Sequence, residues 1–273
     1  MLHLQTFIDM IDRSRAKKVF ADYVNSYDMN IGQNALKVKH TYKVADISEQ
    51  IAKEQDLSPL DVDLAWLIGL LHDIARFEQN KRYGTFNDLT SVDHANLGVE
   101  ILFKDGKIRD FIDETNYDYI IEKAIRFHNK YRVEAGLDDR TMMFCNIIRD
   151  ADKLDIFRVN QESSKEDVYE VSEEDFKNSE FSDAIFESFF NEKVVFKQLK
   201  KNAVDGLACH LSLVYELIYP ASVKIAVEQG YVEKMMSFES ENAKANEQLA
   251  KMSEKLKSYI KERLERQNII ELT

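Results

Sequence analysis

Glycine and proline are scarce in this chain, at 8 and 2 of 273 residues. Few positions therefore force a helix to stop, and there is no series of short alternating runs of the kind that builds a sheet. Cysteine is as sparse. Cys145 and Cys209 lie far apart and in no metal-like spacing, which points to free, buried thiols in a reducing cytoplasm. No apolar run approaches the roughly 20 residues that span a bilayer. The first residues, MLHLQTFIDMIDRSRAKK, mix charge with apolar side chains and contain no signal-peptide core. An excess of basic charge is also missing, since 49 acidic against 37 basic residues give a formal net charge of −12. That argues against an extended nucleic-acid surface, which needs a basic footprint. A small anionic substrate remains compatible, because a metal or a local basic cluster can dominate the field of one pocket. These absences describe a soluble cytoplasmic protein with no membrane partner.

What remains is rich in Ala, Leu, Glu, Lys and Ile, and reads as an all-α fold. Leu4 to Tyr27 has the pattern of an amphipathic helix or pair of helices, followed by a turn at Asn30 to Asn34. In Ala35 to Gln55, Leu36, Val44, Ile47 and Ile51 fall on one helical face. Ser58-Pro59 is a helix start. The segment it opens runs to about Ala75 and is apolar on most sides (LAWLIGLL), so it belongs at the centre. Lys81 to Thr90 reads as a loop, and Ser91 or Asp93 as the cap of a helix reaching Phe103. Asp105-Gly106 marks a turn, and further helices cover Tyr117 to His128 and Arg140 to Arg158. The polar, acidic stretch Gln161 to Glu174 has the character of a linker. It divides a helical core (1–160) from a C-terminal helical extension (161–273) expected to pack on that core. The extension opens with a Phe-rich segment (Phe176, Phe181, Phe186, Phe189, Phe190, Phe196) that reads as core. It ends in the highly charged stretch Ser237 to Gln267, a partly solvated helix and a possible surface for a homo-oligomer.

Six histidines punctuate the chain. His40 shares the apolar face of its helix, where a lone histidine is usually a core residue. His72 and Asp73 follow the most apolar segment. His94 lies in SVDHANLG, and His128 closes EKAIRFHNK. Asp152 is spaced four residues after Ile148, so its carboxylate points the same way as a core side chain. One carboxylate buried in this way is costly, whereas several beside imidazoles are what a metal site requires. Imidazole with carboxylate suits Mn, Fe, Co, Ni or Zn better than Ca. His3 and His210 have no such context and read as structural or exposed.

The order H…HD…D, carried by KVKHT, GLLHDIARF and RDADKLD, resembles the HD-domain superfamily of metal-dependent phosphohydrolases. His94 in DHANLG and His128 in AIRFHN resemble the additional ligands of its dinuclear branch. The likeness covers about Ala35 to Arg158 and leaves the C-terminal part uncovered. It implies an all-α HD-domain helical bundle with a C-terminal helical extension. It implies one divalent transition metal on His40, His72, Asp73 and Asp152, and a second on His94 and His128 with Asp73 as the bridge. The HD pair would then sit on the central helix as the rigid floor of the site. Further cations are needed for a phosphoryl group; Arg76 is the first candidate and Lys153 the second, with salt bridges on the rim as the competing role. Arg126, Lys130 and Arg132 flank His128 as weaker candidates for the substrate mouth, and Asp155 reads as an accessory or surface carboxylate. Relatives often carry Gly where Ala75 stands.

The activity implied is hydrolysis of a small phosphomonoester or phosphodiester, with nucleotides among the candidates, by a metal-activated hydroxide. Two alternatives share the same residues. Some HD-fold proteins resemble mixed-valent di-iron oxygenases, which the metal and oxygen consumption would reveal. A non-catalytic nucleotide-binding regulator would retain binding without turnover.

Overall fold

The computed structural model describes residues 11–270, the last four by backbone alone, and His3 lies outside them. The described residues form helices and no strand, and no helix is long and apolar enough to cross a membrane. The chain divides into two compact units, residues 1–152 and 153–273.

In the first unit, α1 (Arg13–Val24) and α2 (Gly32–Glu54) precede α3 (Pro59–Leu71), and α4 spans Arg76–Tyr83. α5 (His94–Val99) runs straight into a π turn at Glu100–Lys104. α6 (Ile108–Phe111) and α7 (Asp118–Phe127) follow, and α8 (Asp139–Glu162) contains the boundary between the units. The centre is α3, with Leu64, Ala65, Trp66, Leu67, Ile68, Leu70 and Leu71 all buried. It begins where Ser58 accepts the amide of Asp61 with Pro59 in the first turn. α2 presents His40, Val44, Ile47 and Ile51 as one buried stripe. The two helices cross in backbone contact: a Cβ on Gly69 would stand 2.6 Å from the Ala45 Cα. α1 is fastened over them by Arg13, which donates to Asp63 at 2.7 Å and Glu49 at 2.6 Å and lies over the Trp66 ring.

Several boundaries differ from those read in the sequence. The expected turn at Asn30 to Asn34 already contains the start of α2 at Gly32. The central helix stops at Leu71, and His72 to Ala75 form tight turns in which Leu71 O accepts from Ile74 N and Asp73 O from Arg76 N. Such i→i+3 bonds tighten a helix end, so the HD pair caps the central helix instead of riding on it. The loop expected from Lys81 starts later, because α4 continues to Tyr83 and ends on Gly84 at φ 66°.

In the second unit, α9 (Lys165–Tyr169) and α10 (Glu173–Asn178) occupy the stretch read as a linker. Ser164 and Ser172 each cap a short helix, accepting the amides of Asp167 and Asp175 and donating to the same residues' carboxylates at 2.7 Å. α11 (Asp183–Phe189), α12 (Asp205–Leu211), α13 (Pro220–Gln229), α14 (Tyr231–Met236) and α15 (Ala243–Ile270) complete it. Phe176, Phe181 and Phe189 are core, but Phe190 and Phe196 are exposed. α15 buries Ala245, Leu249, Met252 and Leu256 along one side. Cys145 and Cys209 are buried and free.

Candidate metal centre

Five elements of the first unit deliver six polar side chains to one place. His40 comes from α2, His72 and Asp73 from the turn after α3, His94 from the first position of α5, His128 from the cap of α7, and Asp152 from α8. Asp93 starts α5 by accepting the amide of Asn96, which sets His94 facing inward. His40, His72, Asp73, His94 and His128 are all buried, and the side chain of Asp152 is 20% exposed.

Asp73 is the hub. Its Oδ2 lies 3.6 Å from His40 Nε2 and 3.5 Å from His72 Nε2, while its Oδ1 lies 3.3 Å from His94 Nε2 and 3.7 Å from His128 Nε2. One carboxylate thus divides its two oxygens between two histidine pairs. Asp152 Oδ1 joins the first pair, 3.1 Å from His40 Nε2 and 3.9 Å from His72 Nε2. His40, His72 and Asp73 form one group that could hold an ion, and Asp73, His94 and His128 form another.

The protonation of the rings follows from their outer partners. His72 Nδ1 is 2.7 Å from Gly69 O and His128 Nδ1 2.7 Å from Ile125 O. A carbonyl only accepts, so both Nδ1 atoms carry hydrogen, and it is Nε2 that each ring in its neutral form offers to the cluster. His94 Nδ1 donates in the same way to Asp88 Oδ2 at 2.6 Å. Burial pushes His72 down to about 3. Burial and the Arg76 charge bring His94 down to about 4, against the pull of Asp88. Burial works against ionising Asp73, but Lys37, His72, His128 and Arg76 together hold it well below the usual carboxylate range. Burial likewise works against Asp152, and His40 and His72 bring it far down. Neutral imidazoles and ionised carboxylates are the state in which these groups bind metal. The donor set fits transition-metal ions, and His72 Nε2 has no hydrogen-bond partner among the described residues.

Two contacts were not read from the sequence. Lys37, one turn ahead of His40, donates to Asp73 Oδ2 at 2.7 Å. Asp88 joins His94 to Arg76 and Gln79, each at 2.9 Å, and to Asn129 at 3.1 Å. KVKHT contains Lys37, but only the α2–α3 crossing brings it to Asp73. Asp88 lies in an irregular loop whose path no periodicity encodes.

The expected cations are distributed unevenly. Arg76 Nε is 3.5 Å from Asp73 Oδ1, and its Nη1 donates to Gln79, Phe86 O and Asp88. Lys153 is the first residue of the second unit, with Nζ 3.5 Å from Glu216. Arg126 pairs with Glu122 and reaches Asn96, Lys130 pairs with Asp93, and Arg132 is exposed. Asp155 is no surface carboxylate: it is buried in a two-point bond with Arg158 at 2.7 and 2.8 Å.

Residues 38–157 match the family model described as HD domain. No curated protein and no solved structure matches the chain. The matched segment opens just ahead of His40 and closes just past Asp152, so it encloses the whole cluster and leaves Lys37 immediately outside. Residues 38–157 thus carry an HD domain, set in a helical architecture, and proteins with this domain are generally metal-dependent hydrolases.

Proposed function

We propose that this chain is a metal-dependent phosphohydrolase acting on a small phosphomonoester or phosphodiester, with nucleotides among the candidates. The observation that carries the reading is the division of Asp73 between two buried histidine pairs. His40, His72, Asp73 and Asp152 would hold one ion, and His94 and His128 with Asp73 a second. Divalent ions of the Mn, Fe, Co, Ni or Zn kind would supply Lewis-acid charge to activate water and polarise a phosphoryl oxygen. The protein's own part is preorganisation. Gly69 O, Ile125 O and Asp88 hold three rings in the metal-binding tautomer. Apolar residues of α3 exclude bulk water from the floor of the site. Arg76, anchored by Gln79, Phe86 O and Asp88, keeps positive charge beside Asp73, where negative charge grows on a phosphoryl group in flight.

The test is phosphate release from a panel of nucleotides, sugar phosphates and phosphodiesters with Mn²⁺, Co²⁺, Ni²⁺ or Mg²⁺, beside the Asp73→Ala variant. Metal-dependent turnover that disappears in the variant is the expected result. Absence of release from every substrate would overturn the reading, and iron content with oxygen consumption would then test the oxygenase alternative.

A further inference from the structure

Two cations lean on Asp73, and they are held very differently. Arg76 reaches 3.5 Å from Oδ1, and its Nη1 is fixed by Gln79 at 2.8 Å, Phe86 O at 2.6 Å and Asp88 at 2.9 Å. Lys37 has one polar partner among the described residues, Asp73 Oδ2 at 2.7 Å. An ammonium has three donors, so two of its hydrogens are free to turn to another acceptor. The oxygen it holds is the one that His40 and His72 face at 3.6 and 3.5 Å. A positive charge is thus lodged on the same oxygen that the first ion would take.

The surroundings of the cluster show where Lys37 would go. The side chains of His40, His72, Asp73, His94 and His128 are at most 3% exposed, whereas Lys37 and Asp152 are each 20% exposed. Solvent therefore reaches the first group of ligands on the side where Lys37 lies, and a substrate would arrive from that side. A lysine stem is flexible and its head is a compact point charge, so a small rotation carries Nζ from a carboxylate oxygen to a neighbouring anion.

We propose that Lys37 is an exchanging counter-cation: it balances Asp73 while the first metal position is empty, yields Oδ2 to the arriving ion, and then donates to a phosphoryl oxygen of the substrate. This rests on the metal-dependent phosphohydrolase reading given above. No proton is lost in the exchange, since the ammonium stays charged and changes only its acceptor. Arg76 cannot take this part, because its Nη1 bonds tie it to the 86–88 loop.

The test uses the full chain and two probes that need no turnover, Mn²⁺ and inorganic phosphate. Mn²⁺ affinity is measured by equilibrium dialysis, and phosphate binding to the Mn²⁺-loaded protein by calorimetry. Lys37→Met keeps the helix-compatible stem and removes the charge. It is expected to bind the first Mn²⁺ about tenfold more tightly and phosphate about tenfold more weakly. Lys37→Arg should restore phosphate binding toward wild type. Circular dichroism confirms folding, and Lys37→Gln serves as a second neutral variant. Unchanged or weaker Mn²⁺ affinity in both neutral variants would overturn the exchange, and unchanged phosphate binding would overturn the substrate contact. If wild type binds no Mn²⁺, or Asp73→Ala binds it as well as wild type does, the underlying metal reading fails instead.

Discussion

His94 Nε2 and His128 Nε2 face each other across 2.9 Å in a buried setting. Each ring uses its Nδ1 hydrogen outward, on Asp88 and on Ile125 O. Two lone pairs at that separation repel unless a cation or a shared proton lies between them, which makes the pair a poor structural element and a good half of a metal site. His128→Ala and His94→Ala should therefore each lower the bound metal from two equivalents toward one, while Asp73→Ala should remove most of both. Metal analysis after dialysis checks this; unchanged content in all three variants would sink the assignment.

Asp88 acts on the centre through His94. Asp88→Ala leaves the ring free to turn or to place its hydrogen on Nε2, where it opposes a metal. Loss of such an outer partner typically weakens metal affinity about 10- to 100-fold. The expected pattern is a weakened second equivalent with the first nearly unaffected, read from a Co²⁺ titration by absorbance.

Gly69 sets the floor. An alanine there would place Cβ at 2.6 Å from Ala45 Cα and 2.9 Å from Ala45 N, both backbone atoms that cannot step aside. Gly69→Ala should cost about 1–3 kcal/mol, as overpacking does, in urea denaturation. It should also weaken metal binding, because Gly69 O orients His72. A stable variant with normal metal affinity would show that α2 and α3 have more slack than their crossing implies.

His210, in the second unit, gives the fold an acid limit independent of the metal centre. Burial and the charges of Lys197, Lys200 and Lys165 push it down to about 3. Near the Tyr169 ring, its Nδ1 lies 3.0 Å from Asn160 Nδ2. The folded chain keeps this ring neutral, whereas the unfolded chain protonates it below about pH 6.5. The unfolded state therefore binds more protons between those values. The stabilisation is present above pH 6.5 and is lost as pH falls toward 3, at up to about 1.4 kcal/mol per unit. Urea denaturation at pH 7.5, 6 and 5 should show wild type losing about 1–2 kcal/mol more than His210→Gln. Parallel losses would refute this.

Sequence alone identifies what depends on local chemistry. Ser58-Pro59 marks the start of α3, Asp93 the start of α5, and the apolar run the centre of the first unit. The order of histidines and aspartates names six side chains that the fold gathers into one buried cluster. What it misses depends on tertiary contact or on competition among weak local preferences. Lys37 meets Asp73 across the α2–α3 crossing, and Asp88 reaches His94 from a loop. α9 and α10 hide in an acidic run because short helices leave little periodicity, although their serine caps are visible in hindsight. The central helix reads through to Ala75 because Ile74 and Ala75 continue its apolar run, while the i→i+3 bonds that end it have no sequence signature.

The division of Asp73 has a consequence for how the centre fills. A carboxylate is rigid and planar, so fixing one oxygen also fixes the direction of the other. Whatever orients Oδ2 toward His40 and His72 has already placed Oδ1 between His94 and His128. Were ions to occupy both positions, their loading would be linked through Asp73, and the linkage would be reciprocal. The second position would inherit its geometry from the first, so it should fill only after the first is occupied.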